Sequence, residues 1–159
     1  MTTLQHRVFI EAPRDRVFEM IASPERAAEW ATGVISVRSV GDAPIAVGSQ
    51  TEAIISFMGS RQRAIGRCVV LERPSRLVVE SRTDLGASSR SDTQLSAQPG
   101  GTLLSATMEY SVPGGGLGRL LDKLVAERKI RQDFVDGLER LKTLIEREHR
   151  ASSPEGSAG

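Results

Sequence analysis

The chain has 159 residues, 39% of them hydrophobic, 26% charged and 4% aromatic, and its 21 basic and 20 acidic residues leave a formal net charge of +1. This length suits one domain with a single core, and the balance of hydrophobicity and charge excludes a disordered chain. The charge gives no electrostatic reason to expect a nucleic-acid or anionic-membrane partner, and no apolar run approaches the roughly 20 residues that cross a bilayer.

Met1–Arg7 lacks the apolar core of a signal peptide, so a cytoplasmic location is expected. Cys68 is the only cysteine and can form neither an internal disulfide nor a metal cluster of its own. There are 18 Arg against 3 Lys and no Asn, a bias that a G+C-rich codon usage would produce, so arginine richness is not a phosphate-binding signal here. The lack of Asn excludes N-glycosylation and any Asn-dependent catalytic triad.

In chain order, Leu4, His6, Val8 and Ile10 alternate with Gln5, Arg7, Phe9 and Glu11, the period of a strand. After Ala12-Pro13, the spacing of Val17, Phe18 and Ile21 predicts a helix. Ser23-Pro24-Glu25 reads as a second helix start, with Ser23 as N-cap, and Trp30 and Gly33 keep that helix short. Six strands come next: Val34–Val40, Ser49–Met58, Arg61–Glu72, Leu77–Thr83, Ser88–Ala97 and Thr102–Val112, each bounded by Gly, Pro, Asp or Ser. Such short connections favour an antiparallel meander.

From Leu117 to about His149 the apolar residues return at helical spacing, which predicts one helix on the order of 45–50 Å long. Residues 1–150 are expected to form a single domain, and 151–159, rich in Ser, Gly and Ala, a frayed tail. A curved antiparallel sheet needs its apolar face covered, and the final helix is the only large cover available.

With these elements in place, the chain resembles the START-like (SRPBCC) superfamily that includes polyketide cyclases and dehydratases. The matching stretches are Val8–Phe18, Ser23–Arg26 with Glu29-Trp30, Val47–Ser49, Val70–Leu77, and Gly100–Thr102 with Glu109-Tyr110, across about residues 4–147. The resemblance implies an α+β helix-grip fold, in which a seven-stranded curved sheet wraps the C-terminal helix over a cavity. It implies little about activity, because one scaffold hosts many.

Inward faces follow from taking Arg61, Arg63 and Arg67 as outward. Gln62, Ala64, Gly66, Cys68 and Val70 then face inward, with Thr51, Ala53, Ile55 and Phe57 on the strand before and Leu77, Val79 and Ser81 on the strand after. The last strand offers Leu104, Ala106, Met108 and Tyr110. So many small side chains would fill the interior poorly; either the sheet collapses onto the helix or a hollow remains. On the long helix Leu120, Phe134, Leu138, Leu141 and Ile145 form one stripe, and Glu127 and Arg131 fall on it four residues apart, able to pair. This pair presents a polar contact to a ligand carboxylate, phenolate or carbonyl, or the helix emerges into solvent there, or the pair is a satisfied internal ion pair. Gly137 is expected to permit close packing of a strand.

No chemical motif emerges. His6 and His149 lie at opposite ends, no HExxH, CxxC or EF-hand pattern exists, and Gly114–Gly118 lacks the spacing of a phosphate loop, reading instead as a strand-to-helix hinge at the cavity mouth. No metal and no cofactor is expected. Cys68 reads as a small buried hydrophobe, His6 as a sheet position with a lesser claim to general-base work, and Trp30 as packing between the short helices and the sheet.

The expectation is therefore non-covalent binding or transport of a small hydrophobic ligand (lipid, quinone or polyketide-like). The cavity would be lined by Ile55, Phe57, Ala64, Gly66, Cys68, Leu77, Val79, Leu104, Ala106, Met108, Tyr110, Glu127, Arg131 and Phe134. The alternatives are a polyketide or aromatic cyclase/dehydratase using acid–base chemistry in the same cavity, and a protein-interaction module of toxin-like or assembly-factor type. A monomer or homodimer without integral membrane association is expected.

Overall fold

The computed structural model describes residues 1–113 and 120–152, and of residues 120–122 only the backbone. The order is β1 (Thr2–Ile10), α1 (Arg14–Ile21), a 3-10 turn (Pro24–Arg26), α2 (Ala27–Trp30), β2 (Val34–Ser39), β3 (Gln50–Phe57), β4 (Ser60–Glu72), β5 (Arg76–Thr83), β6 (Ser88–Gln98), β7 (Gly101–Ser111) and α3 (Leu120–Ser152). All seven predicted strands form. The hinge expected at Gly114–Gly118 lies outside the described residues. Of the tail expected at 151–159, Ala151 and Ser152 continue α3, and the rest lies outside the described residues.

Ser23 differs from expectation. Its hydroxyl donates back to the Glu19 carbonyl at 2.6 Å, closing α1 instead of capping the next turn. Such back-bonding is open to any Ser four residues past a helical carbonyl. Without that cap the chain continues as a 3-10 turn and a single turn of α2.

The strands form one antiparallel sheet in the order β1-β7-β6-β5-β4-β3-β2. Strands β2 to β7 run as a meander, because each connection after β3 is short enough only for a hairpin. The first strand is added beside the last, pairing from Thr2↔Tyr110 to Ile10↔Thr102. The segment of α1, the 3-10 turn and α2 therefore links the two opposite edge strands.

Between β3 and β4 the turn is Met58-Gly59, with φ of 49° and 80°. Two successive positive values make a type I′ turn, whose twist matches that of the flanking strands. A bulge between Cys68 and Val70 changes the inward list of β4. Beyond it Leu71 lies opposite Leu77 and Val70 opposite Val78, so Leu71, not Val70, faces the helix. Leu71 accordingly packs against the core.

Helix α3 packs on β1, α1 and α2. Its C-terminal half supplies Leu138, Leu141 and Ile145 to a core with Val8, Ile10, Val17, Phe18, Leu95 and Leu104. Polar ties fix the same half. Lys142 Nζ donates to the Phe9 carbonyl at 2.7 Å, and Glu146 accepts the Glu11 backbone N–H at 2.8 Å. Gly137 does allow a close approach, but of residues 30–32 after α2 rather than of a strand, with Trp30 O and Thr32 N each 3.5 Å from where a Cβ would sit. The architecture is the helix-grip of the sequence expectation.

Candidate functional site

The concave face is organised in rows across the strands, because antiparallel partners share a face. Nearest the core, Leu95, Leu104 and Val8 are adjacent in register, and all are buried. The next row holds Leu71, Leu77, Thr93, Ala106 and His6, and the one after it Cys68, Val79, Ser91, Met108 and Leu4. Further from the core come Thr51, Gly66, Ser81, Ser89, Tyr110 and Thr2 in a single row. Five of those six side chains carry a hydroxyl. The face thus grades from aliphatic to hydroxylic along the strands.

Gly66 interrupts the hydroxyls. A Cβ there would lie 2.6 Å from Thr51 Oγ1, so a larger residue would have to turn the Thr51 side chain aside. Ser81 and Ser89 satisfy each other at 2.8 Å. Tyr110 does not find a comparable partner: the residue is 6% exposed and its buried hydroxyl makes no hydrogen bond among the described residues. Burial pushes its pKa up. The Thr2 hydroxyl beside it draws the value partly down without completing a bond of normal geometry, the Glu127 carboxylate pushes it up, and Arg131 pulls it down. The phenol therefore stays protonated, an available donor at the end of α3 that carries Glu127 and Arg131.

The predicted lining residues differ in burial. Ala64, Gly66, Cys68, Leu77, Leu104, Ala106 and Tyr110 are buried. Ile55, Phe57, Val79, Met108, Glu127 and Phe134 are half-buried, and Arg131 is exposed. Val79 and Phe134 touch the core, whereas Ile55, Phe57 and Met108 are not among the residues packed against it. Glu127 and Arg131 do not form the expected i,i+4 pair. On the described part of α3 the pairs of that spacing are Lys129–Asp133 and Lys142–Glu146, both at 2.6 Å. Glu127 and Arg131 instead set the field at Tyr110.

His6 sits on the concave face of β1, and its Nε2 is 3.3 Å from Glu139 Oε1 on α3, a structural tie between helix and sheet. Cys68 is buried, its thiol 3.6 Å from the Val70 carbonyl, and burial raises its pKa. It is the small buried residue the sequence suggested. Trp30 packs half-buried against the core, as expected. Among the described residues no group of three or more His, Cys, Asp or Glu could hold a metal ion, and no helix is long and apolar enough to cross a membrane.

Two open surface hollows lie elsewhere. One of about 580 Å³ runs between α2 and α3 and is lined by Glu29, Thr32, Asp136, Glu139, Arg140, Thr143, Leu144 and Arg147. The other, of about 350 Å³, is bordered by Ile65, Glu80, Arg82, Arg90 and Glu109 on the outer side of the sheet. Both mix charges of either sign and neither has the apolar lining of a small-molecule site. The concave face, with its graded polarity and orphaned phenol, is the stronger candidate. Sequence reasoning misses Ser89, Ser91, Thr93 and Thr2; counting register outward from the two-residue β6–β7 turn finds the first three, whereas Thr2 follows only from the pairing of β1 with β7.

Residues 1–146 match the family model described as "Polyketide cyclase / dehydrase and lipid transport". The chain belongs to this family, and so to the START-like superfamily that its motifs resemble. Among solved structures it is similar to the ZhuI aromatase/cyclase from Streptomyces sp. R1128, with a TM-score of 0.79 and 16% identity over 96% of this chain and 98% of that one. TTHA0849 from Thermus thermophilus is also similar, with a TM-score of 0.78 and 20% identity over 96% and 100%. Ara h 8.0201 matches with a TM-score of 0.67 and 12% identity over 91% and 97%. At these identities the likeness concerns the fold alone. No curated protein matches the sequence.

Proposed function

We propose that the chain binds a small hydrophobic ligand carrying at least one oxygen function, non-covalently, between the concave face and the N-terminal half of α3. The observation that carries this reading is the buried hydroxyl of Tyr110, unpartnered among the described residues, in a row of hydroxyls and beside half-buried Met108. A buried donor without an acceptor costs about 1–3 kcal/mol, and a ligand carbonyl or phenol would recover that cost on binding. Ile55, Phe57, Met108 and Phe134 supply apolar surface that a ligand would cover at roughly 25 cal/mol per Å². The family description includes lipid transport, in keeping with this role.

A second reading, an aromatic cyclase or dehydratase, draws on Glu127 and Arg131 acting on the neutral Tyr110 phenol, an arrangement able to polarise a carbonyl. The two readings separate in one experiment. Native mass spectrometry and thermal shift with long-chain acids, quinones and poly-oxygenated aromatics should show a bound, unchanged ligand, favouring the oxygen-rich classes. Ligand released lighter by one water, or isomerised at unchanged mass with a new absorption spectrum, would support the cyclase or dehydratase, and the absence of any added mass or shift would overturn both.

A further inference from the structure

Topology gathers the β3–β4 turn, the β5–β6 turn, the end of β7 and the first turns of α3 at one end of the molecule. The Asp84 N–H donates to the Arg63 carbonyl at 2.9 Å, and Pro113 stands 3.6 Å from where a Cβ on Gly86 would sit, which joins these segments. This end displays Met58 (54% exposed), Leu85 (59%), Val112 (47%), Leu124 (53%) and Val125 (55%). At the other end the exposed large apolar residues are Phe9, Val40 and Val47, the last two beside or within a single loop.

Met58 is the most telling of the five. It occupies the first position of a type I′ turn at φ 49°, where Asn, Asp or Gly is favoured and a bulky apolar side chain is an outlier. Being half-exposed at a hairpin tip, it returns little of that cost within the chain. Strain of this kind is a pointer to a role outside the fold.

Cations flank these tips. Arg61 and Arg63 follow Met58 on β4, and Lys123 and Arg128 bracket Leu124 and Val125; all four are exposed, with Asp84, Glu127 and, next to Lys123 in sequence, Asp122 as the nearby acids. A chain of net charge +1 thus concentrates positive charge around its exposed apolar points. Separate protruding tips ringed by cations suit a fluid anionic surface that can mould around each of them. A rigid protein partner would need a continuous face.

We propose that this end docks reversibly on an anionic phospholipid surface, with the five apolar side chains entering the headgroup region and the flanking arginines and lysine engaging lipid phosphates. It is a peripheral contact. It does not depend on the ligand-binding reading, because ligand-free protein should bind vesicles.

The test is co-sedimentation of the full chain with vesicles of phosphatidylcholine alone or with about 30% phosphatidylglycerol, at low and high salt. Binding to the anionic vesicles should weaken as salt rises and fall at least tenfold in a Met58→Asn, Leu85→Ser, Leu124→Gln triple variant. None of these changes alters charge. Met58→Asn alone should lower vesicle binding while leaving the melting temperature equal or higher, since it places the favoured residue in the turn. Three results would overturn the proposal: no pelleting with either vesicle, pelleting that the neutral variants leave intact, or a dimer in solution that the same variants dissolve without any vesicle binding.

Discussion

Arg26 and Glu148 lie 122 positions apart and meet through two hydrogen bonds, Nη1 to Oε1 at 3.0 Å and Nη2 to Oε2 at 2.7 Å. The same guanidinium reaches Glu29 at 2.7 and 3.0 Å, so one arginine on a three-residue turn clasps α2 and α3 together. Its own pKa is driven up by those carboxylates, Glu29 first and then Glu148. In return it holds both carboxyls below the usual range. This contact adds a polar tie to the close packing of residues 30–32 on Gly137 of α3.

Glu148→Gln should cost about 0.5–1 kcal/mol, a modest sum because the pair is partly open to water and screened by salt. The pH dependence follows from the sign of the shifts. Carboxyls with folded pKa values below their unfolded ones stabilise fully above the unfolded value, and that contribution is lost as pH falls through the folded value. Urea midpoints should therefore drop in the wild type from about pH 5 downward, and drop less in Glu148→Gln.

Leu141 is fully buried in the core, where α3 meets β1 and α1. Leu141→Ala should destabilise by about 2–5 kcal/mol through lost burial and the cavity left behind. Denaturant unfolding measures this. A cost under about 1 kcal/mol would mean that this part of the core is not close-packed.

Tyr110→Phe removes a buried hydroxyl that has no partner among the described residues. Stability without ligand should stay level or rise by up to about 1 kcal/mol, while affinity for an oxygen-bearing ligand falls about tenfold. Because Tyr110 is the only tyrosine, phenolate absorbance reports this residue alone. Its titration should lie above the ordinary phenol value, and folding stability should decline as pH climbs beyond about 10, where the unfolded chain ionises first.

Cys68 is the single cysteine, buried, with its thiol pKa raised. Alkylation by iodoacetamide at neutral pH should be slow in the folded protein and should speed up sharply at the unfolding transition. Rapid labelling of the native state would place the thiol in an exposed, activating environment that the structure does not show.

Strand positions and the inward face of β4 are legible in the sequence because Arg61, Arg63 and Arg67 mark one face of a period-two pattern. What escapes it has physical reasons. The bulge at Cys68/Val70 inserts one residue into a ladder, and a bulge has no reliable signature in one strand alone, so periodicity puts Val70 on the wrong side. The ties from His6 to Glu139 and from Arg26 to Glu148 join half-buried or exposed polar residues over more than a hundred positions, and hydrophobic periodicity says nothing about such pairs. Glu127 and Arg131 have the spacing of a helical ion pair, yet that geometry is worth only about 0.2–0.5 kcal/mol and yields readily to other surroundings. For the candidate site, the small residues are visible one by one, whereas the hydroxyl row appears only when five registers are known together.

The pairing of β1 with β7 bears on how the chain is made. Thr2–Ile10 are synthesised before the rest of the sheet, yet among the described residues their one strand partner is Gly101–Ser111. Throughout synthesis of the meander this segment carries an unsatisfied hydrogen-bonding edge and the apolar side chains Leu4, Val8 and Ile10. Closure across so long a stretch of sequence makes folding slow for the size of the protein. It also makes the nascent chain a candidate for chaperone escort until the final hairpin arrives.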